Sequence, residues 1–213
     1  MLKAILFDMD GVLVDSEKLI AQAAVILLAE RGAVANVADF IPFIGTGEKR
    51  FLEGVSELYN VKLKDDDQAY LYEIYRQIAP ASLQPVKGVF QFIDYCHQHG
   101  LKTAIATSAD HVKIGINFTA VGLKEEWFDT IVNGLDVERK KPFPDIYIKA
   151  AQRLGVDPSE CLVIEDAVNG IEAGLAAGCK CVGLTTTFDA AQLHRAHWVA
   201  ADLASIPQQA LAW

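Results

Sequence analysis

Four polar clusters interrupt apolar stretches of the sequence, and their residue types suit one kind of chemistry. Asp8-Met9-Asp10-Gly11-Val12 follows the apolar run 2–7, and Thr107-Ser108 closes the run 103–107. Lys141 precedes Pro142 in the stretch after the run 130–132, and Glu165-Asp166 follows the run 161–164. Carboxylate oxygens are the donors a hard cation such as Mg²⁺ prefers. A hydroxyl and an ammonium beside them would neutralise the oxygens of a phosphoryl group. Each residue alone has an ordinary explanation. Asp166 suits the N-cap of a following helix, Asp-x-Asp is a common turn element, Thr107 is a β-branched strand end, and Lys141 is a solvated loop lysine. Their conjunction at successive strand ends is what singles them out.

Those clusters need a scaffold that brings strand ends together. Five short runs rich in Val, Ile, Leu and Ala (2–7, 103–107, 130–132, 161–164 and 181–184) suit strands of a parallel sheet covered on both faces. Helical patterns at 89–99, 142–154 and 167–177 each run up to a glycine, Gly100, Gly155 or Gly178, placed to end a helix. This alternation predicts a doubly wound α/β fold, whose ligands bind beyond the carboxyl ends of the strands. About 95 residues separate the first two strands, far more than one crossover helix needs. Amphipathic patterns at 19–29 and 69–78 predict that the excess is helical, and the two prolines and one glycine of 80–88 suit a linker back. The expected division is a core of residues 1–15 and 84–213 and an inserted small α-helical domain of residues 16–83. Asp15 or Ser16 is expected to cap the first inserted helix and mark a hinge.

At this point the motifs resemble those of the haloacid dehalogenase (HAD) superfamily, in the β-phosphoglucomutase and phosphoglycolate phosphatase-like subgroup with a helical cap after the first strand. Asp8 through Ser16 resembles the first motif and Ile105-Ala106-Thr107 the second. Lys141-Pro142-Phe143-Pro144-Asp145 resembles the third, with Lys140 where a glycine commonly stands, and Val163 through Gly170 the fourth. The resemblance implies a Rossmann-like HAD core with a cap, and a phosphatase that works through an aspartyl-phosphate. It implies Asp8 as nucleophile, Asp10 as general acid and base, and Thr107, Ser108 and Lys141 on the phosphoryl group. The Asp8 carboxylate, the Asp10 carbonyl and the Asp166 carboxylate would hold Mg²⁺, with Glu165 a further candidate metal residue, bonded directly or, less favoured, through a metal-bound water or as an outer-shell carboxylate. Mutases of this subgroup carry a histidine early in the first cap helix. Ile20 stands at the corresponding position, which favours hydrolysis, with phosphomutase action as the alternative. A phospho-Asp receiver domain is a remoter one, because there the phosphorylated Asp ends a later strand.

The cap segment Gly45-Thr46-Gly47-Glu48-Lys49-Arg50 reads equally as a substrate-contacting turn and as a solvated connector between helices. Composition bounds the rest. The chain has 213 residues, 52% of them hydrophobic and 22% charged, as a globular protein does. A net charge of −9 with no Lys/Arg-rich run excludes a nucleic-acid partner and leaves a small phosphorylated metabolite, attracted locally by Lys141 and Mg²⁺. The run 19–29 is too short to span a bilayer, and Asp8 and Asp10 fall where a signal peptide would be apolar, so the expectation is a cytoplasmic protein without a membrane partner. The four cysteines are expected to be reduced thiols.

Overall fold

The structure, a computed structural model, describes residues 1–213 apart from the side chain of Glu48. Its described strands form one sheet: β1 (Ala4–Phe7), β2 (Lys102–Ala106), β3 (Thr130–Val132), β4 (Cys161–Glu165), β5 (Lys180–Leu184) and β6 (Trp198–Ala200). They lie in the order β3-β2-β1-β4-β5-β6, and every neighbouring pair is parallel. All four side chains of β1 are buried, as a central strand covered on both faces requires. The chain builds outward from β1 to β3, then crosses back to β4 on the other side of β1. That reversal opens a crevice at the carboxyl ends of β1 and β4, where Asp8 and Glu165-Asp166 stand.

The sheet has one strand more than the apolar runs predict. β6 is only three residues long and lies at the edge, pairing Val182 with Trp198 and Leu184 with Ala200. So short a segment, with Val199 exposed, carries no buried apolar run to announce it. Helices α4 (Val89–Gln98), α5 (His111–Val121), α6 (Asp145–Leu154) and α7 (Val168–Ala176) complete the core. Gly155 caps α6 in the left-handed conformation at φ 65°, as its position predicts. α5 is an addition to the predicted set. Asp110 accepts hydrogen bonds from the amides of Val112 and Lys113 at its start, and Gly122 ends it at φ 76°.

Between β1 and α4 lie α1 (Glu17–Glu30), α2 (Glu48–Leu58) and α3 (Asp67–Ser82), with a 3-10 stretch at Val37–Phe43. α1 buries Ala24, Leu27 and Leu28 and packs on α3, which buries Leu71, Ile74 and Tyr75 and also lies against α5. α3 continues past Pro80, the first residue of the expected linker. Pro80 falls in the last turn, and past it the carbonyl of Ala79 still receives Leu83 N–H. The chain enters and leaves this segment along paired backbone: Asp15 N–H donates to Gln84 O, and Val86 N–H donates to Leu13 O. Ser16 occupies the N-cap position of α1 but makes no side-chain capping bond. Its hydroxyl donates instead to Asp10 Oδ1, a stronger acceptor because it belongs to a carboxylate.

Candidate active site

Asp8 leaves β1 with its amide bonded to Ile164 O of β4, which fixes the carboxylate at the crevice. Lys141, in the loop before α6 and followed by a cis peptide bond to Pro142, reaches the same point. Its ammonium donates to Asp8 Oδ1 at 2.7 Å and to Glu165 Oε1 at 2.7 Å. Glu165 Oε1 also accepts from Tyr147 Oη at 2.9 Å, while Oε2 accepts the amides of Asp166 and Ala167, both at 3.0 Å. Both oxygens of Glu165 are therefore taken up in tying the lysine loop to the end of β4. Thr107 is 1% exposed, and its hydroxyl accepts the amide of Ala109. Asp8, Asp10, Thr107, Lys141 and Asp166 line one cavity of about 30 Å³.

Burial sets the electrostatics. It pushes the Asp8 carboxyl up to about 7, against the pull of Lys141 and with help from the charges of Glu165 and Asp10. Burial, together with Glu165 and Asp8, drives the Asp166 carboxyl well above its ordinary value. Burial opposes the Lys141 ammonium, but Asp8 and Glu165 outweigh it and hold the group above the usual lysine range. Carboxylate oxygens of Asp8, Glu165 and Asp166 lie within 4.8 Å of one another. Three buried carboxylates facing one ammonium leave an excess of negative charge. Asp166 Oδ2 is buried without a hydrogen-bond partner. It lies where a Cβ on Gly11 would collide with it, so glycine at that position, at φ 70°, keeps room beside the carboxylate. An orphaned buried oxygen in an all-oxygen, net-negative site fits a hard divalent cation.

The cap residues divide. Gly45 and Gly47 line the cavity, and Gly45 O accepts the Ser108 hydroxyl at 3.1 Å, joining the 16–83 segment to the end of β2. Thr46, Lys49 and Arg50 do not line it. Thr46 turns its hydroxyl to Phe43 O, Lys49 faces Glu53 at 3.9 Å, and Arg50 pairs with Glu57 at 3.0 Å over the Phe43 ring. The Glu48 side chain lies outside the described residues. Three residues absent from the sequence reading belong to the site. Tyr147 holds Glu165. Lys113 and Asn117, both buried on α5, reach Asp10 Oδ1 at 2.9 Å and 3.3 Å. Their four-residue spacing on one face of an apolar segment is a legible signal once α5 is known to be a helix.

Carboxylates and an ammonium gathered at the switch point of a parallel α/β sheet, beneath a helical insertion, define a hydrolase of the phosphotransfer type. The model of the haloacid dehalogenase-like hydrolases matches residues 2–178, and the chain belongs to that family. It is 45% identical over 194 residues to Protein SUPPRESSOR OF QUENCHING 1, chloroplastic, of Arabidopsis thaliana; the match covers 89% of this chain and only 18% of that relative's length. It is 29% identical to the Phosphorylated carbohydrates phosphatase of Thermotoga maritima, over 84% of this chain and 83% of that one. The crystal structure of CbbY from Rhodobacter sphaeroides in complex with phosphate superposes with a TM-score of 0.84 at 25% identity, covering 96% of both chains. The protein is an enzyme of the hydrolase class. No helix among the described residues is long and apolar enough to cross a membrane.

Proposed function

We propose that the protein is a Mg²⁺-dependent phosphatase of small phosphorylated metabolites, with residues 1–15 and 84–213 as its catalytic core and residues 16–83 as its cap. The observation that carries this is the pairing of Asp8 with Lys141 at the switch point, with Asp10 two residues on in the same cavity wall. The Asp8 carboxylate, the Asp10 carbonyl and the Asp166 carboxylate would hold Mg²⁺, which supplies positive charge that keeps Asp8 ionised and screens the phosphoryl oxygens. Glu165, its oxygens committed to four donors, stays outside the metal's ligands and positions Lys141.

The Asp8 oxygen attacks phosphorus as the ester P–O bond breaks, and Asp10 gives its proton to the departing oxygen. Asp10, now a carboxylate, takes a proton from water as the water's oxygen attacks the aspartyl-phosphate, returning Asp8 and releasing phosphate. Thr107, Ser108 and Lys141 neutralise the phosphoryl oxygens. Phe43, Ile44 and Phe51 of the cap wall this cavity on one side, so opening of the cap would admit substrate. Closure then excludes water. Ile20, buried and lining the cavity at the position where the subgroup's mutases have histidine, cannot pass protons, which favours hydrolysis over phosphomutase action. The Thermotoga relative's name supports sugar phosphates as the first substrates to try. A reducing cytoplasm suits the four free, buried cysteines.

Phosphate release from a panel of sugar, polyol and organic-acid phosphates, with and without Mg²⁺, tests the reading. Turnover is expected only with Mg²⁺ and is expected to vanish in Asp8→Asn. A folded Asp8→Asn protein that still turns over, or a panel flat at background, overturns it.

A further inference from the structure

Asp10 is held more firmly than a hinge-loop carboxylate needs to be. Three side chains, one from the hinge and two from α5, converge on the same oxygen, Oδ1: the Ser16 hydroxyl, the Lys113 ammonium at 2.9 Å and the Asn117 amide at 3.3 Å. In each of these three contacts the acceptor is Oδ1. Lys113 is 3% exposed and Asn117 is fully buried. The amide of Asn117 is itself oriented, because its Oδ1 accepts the hydroxyl of Tyr75 at 2.7 Å. Tyr75 belongs to α3 of the inserted segment and is fully buried. A buried lysine and a buried amide are expensive to place in an apolar helix unless their partners repay the desolvation. Here Asp10 Oδ1 supplies part of that repayment to both, and Asn117 is further satisfied by Tyr75 Oη and by donating to Met9 Sδ at 3.6 Å.

We propose that Lys113 and Asn117 are positioning residues that clamp Oδ1 of Asp10, so that Oδ2 is the oxygen that carries the proton to and from the reacting group. The proposal rests on the reading of Asp10 as general acid and base. In the phosphorylation half-reaction the proton leaves Oδ2 for the ester oxygen as its bond to phosphorus breaks. In the hydrolytic half-reaction the same oxygen takes it back from water. A carboxylate free to rotate about its Cβ–Cγ bond would present either oxygen. Tying one of them to three donors fixes the other against the leaving group, where small misplacements are costly. The Tyr75–Asn117 bond extends the clamp to α3, so the acid's orientation depends on an element of the cap.

The leaving group reports on the acid. p-Nitrophenol departs without a proton, whereas phenol and aliphatic alcohols need one, so loss of a positioned acid falls hardest on the more basic leaving groups. The experiment measures kcat/KM with Mg²⁺ for p-nitrophenyl phosphate, phenyl phosphate and glycerol 3-phosphate in wild type, Asp10→Ala, Lys113→Met, Asn117→Ala and Tyr75→Phe, with a thermal melt of each. Asp10→Ala is expected to lose on the order of 10²–10⁴ more on the basic leaving groups than on p-nitrophenyl phosphate. Lys113→Met and Asn117→Ala are expected to follow the same graded pattern with a differential of about 10–100-fold, and Tyr75→Phe with a smaller one. Tyr75→Phe removes a single hydroxyl, so it carries the test if Lys113→Met fails to fold. An equal loss on all three esters in the positioning variants, beside a graded loss in Asp10→Ala, overturns the clamp and leaves the acid standing. An equal loss in Asp10→Ala itself overturns the reading of Asp10.

Discussion

Glu165→Gln keeps the shape of the side chain and removes its charge, and the four donors around it make the cost calculable. If the remaining carbonyl oxygen stays with Lys141 and Tyr147, the new amide nitrogen faces the N–H groups of Asp166 and Ala167, donor against donor. Hydrogen bonds to a charged acceptor are worth ~1.5–3 kcal/mol each, so two lost bonds cost about 3–6 kcal/mol. Removing one of three clustered carboxylates relieves repulsion on Asp8 and Asp166, which offsets part of that. A net loss of up to about 3–6 kcal/mol lowers Tm by up to ~24 °C for a chain of this size. Differential scanning calorimetry in metal-free buffer measures it, and Mg²⁺ titration calorimetry on the same variant separates the two roles open to this residue. A strap loses stability and keeps most of its Mg²⁺ affinity. A variant that melts within about 2 °C of wild type while Mg²⁺ affinity drops more than about tenfold would refute the reasoning, because a direct metal ligand behaves that way.

Two further outcomes follow from the same carboxylates. The folded-state pKa of Asp8 is raised from 3.8 to about 7, and that of Asp166 is raised as well. The folded metal-free protein therefore holds protons that the unfolded chain has released, and the stability they contribute is present below about pH 4 and lost as pH rises to about 7. In EDTA, Tm is expected to fall between about pH 5 and 7.5, and saturating Mg²⁺, by favouring the ionised carboxylates, is expected to flatten or reverse that slope. A Tm that rises with pH in EDTA contradicts this assignment. Gly11→Ala places a Cβ against Asp166 Oδ2 at a residue with φ 70°, so Mg²⁺ affinity measured by calorimetry is expected to fall by at least about tenfold. Unchanged affinity in a folded Gly11→Ala protein would mean that Asp166 Oδ2 is not offered to the cation.

Much of the catalytic core was legible before any coordinate. Asp8, Thr107 and Glu165-Asp166 sit just where apolar runs stop, and a residue just past the end of a central parallel strand is carried to the ligand-binding edge by the chain's own geometry. Gly155 likewise declares its helix end, because the left-handed conformation at φ 65° suits glycine. The cap residues were less legible. Lys49 and Arg50 look like anion ligands by type, yet on α2 Lys49 turns to Glu53, four residues on, and Arg50 reaches Glu57, two turns on. Ser16 looks like a helix cap and spends its hydroxyl on Asp10 instead.

The sequence by itself determined the parallel sheet, the insertion after the first strand and the position of Asp8 at the end of that strand, since all three depend on patterns local to the chain. Only the tertiary structure decided which carboxylate is spent on structure and which is left for a cation: Glu165 meets donors from Lys141, Tyr147 and its own backbone, while Asp166 Oδ2 meets none. It also decided that Asp10 is gripped by residues more than a hundred positions away on α5. Side-chain hydrogen bonds form wherever packing brings donor and acceptor within about 3 Å. That distance is set by how helices and strands pack on one another, which no local pattern records.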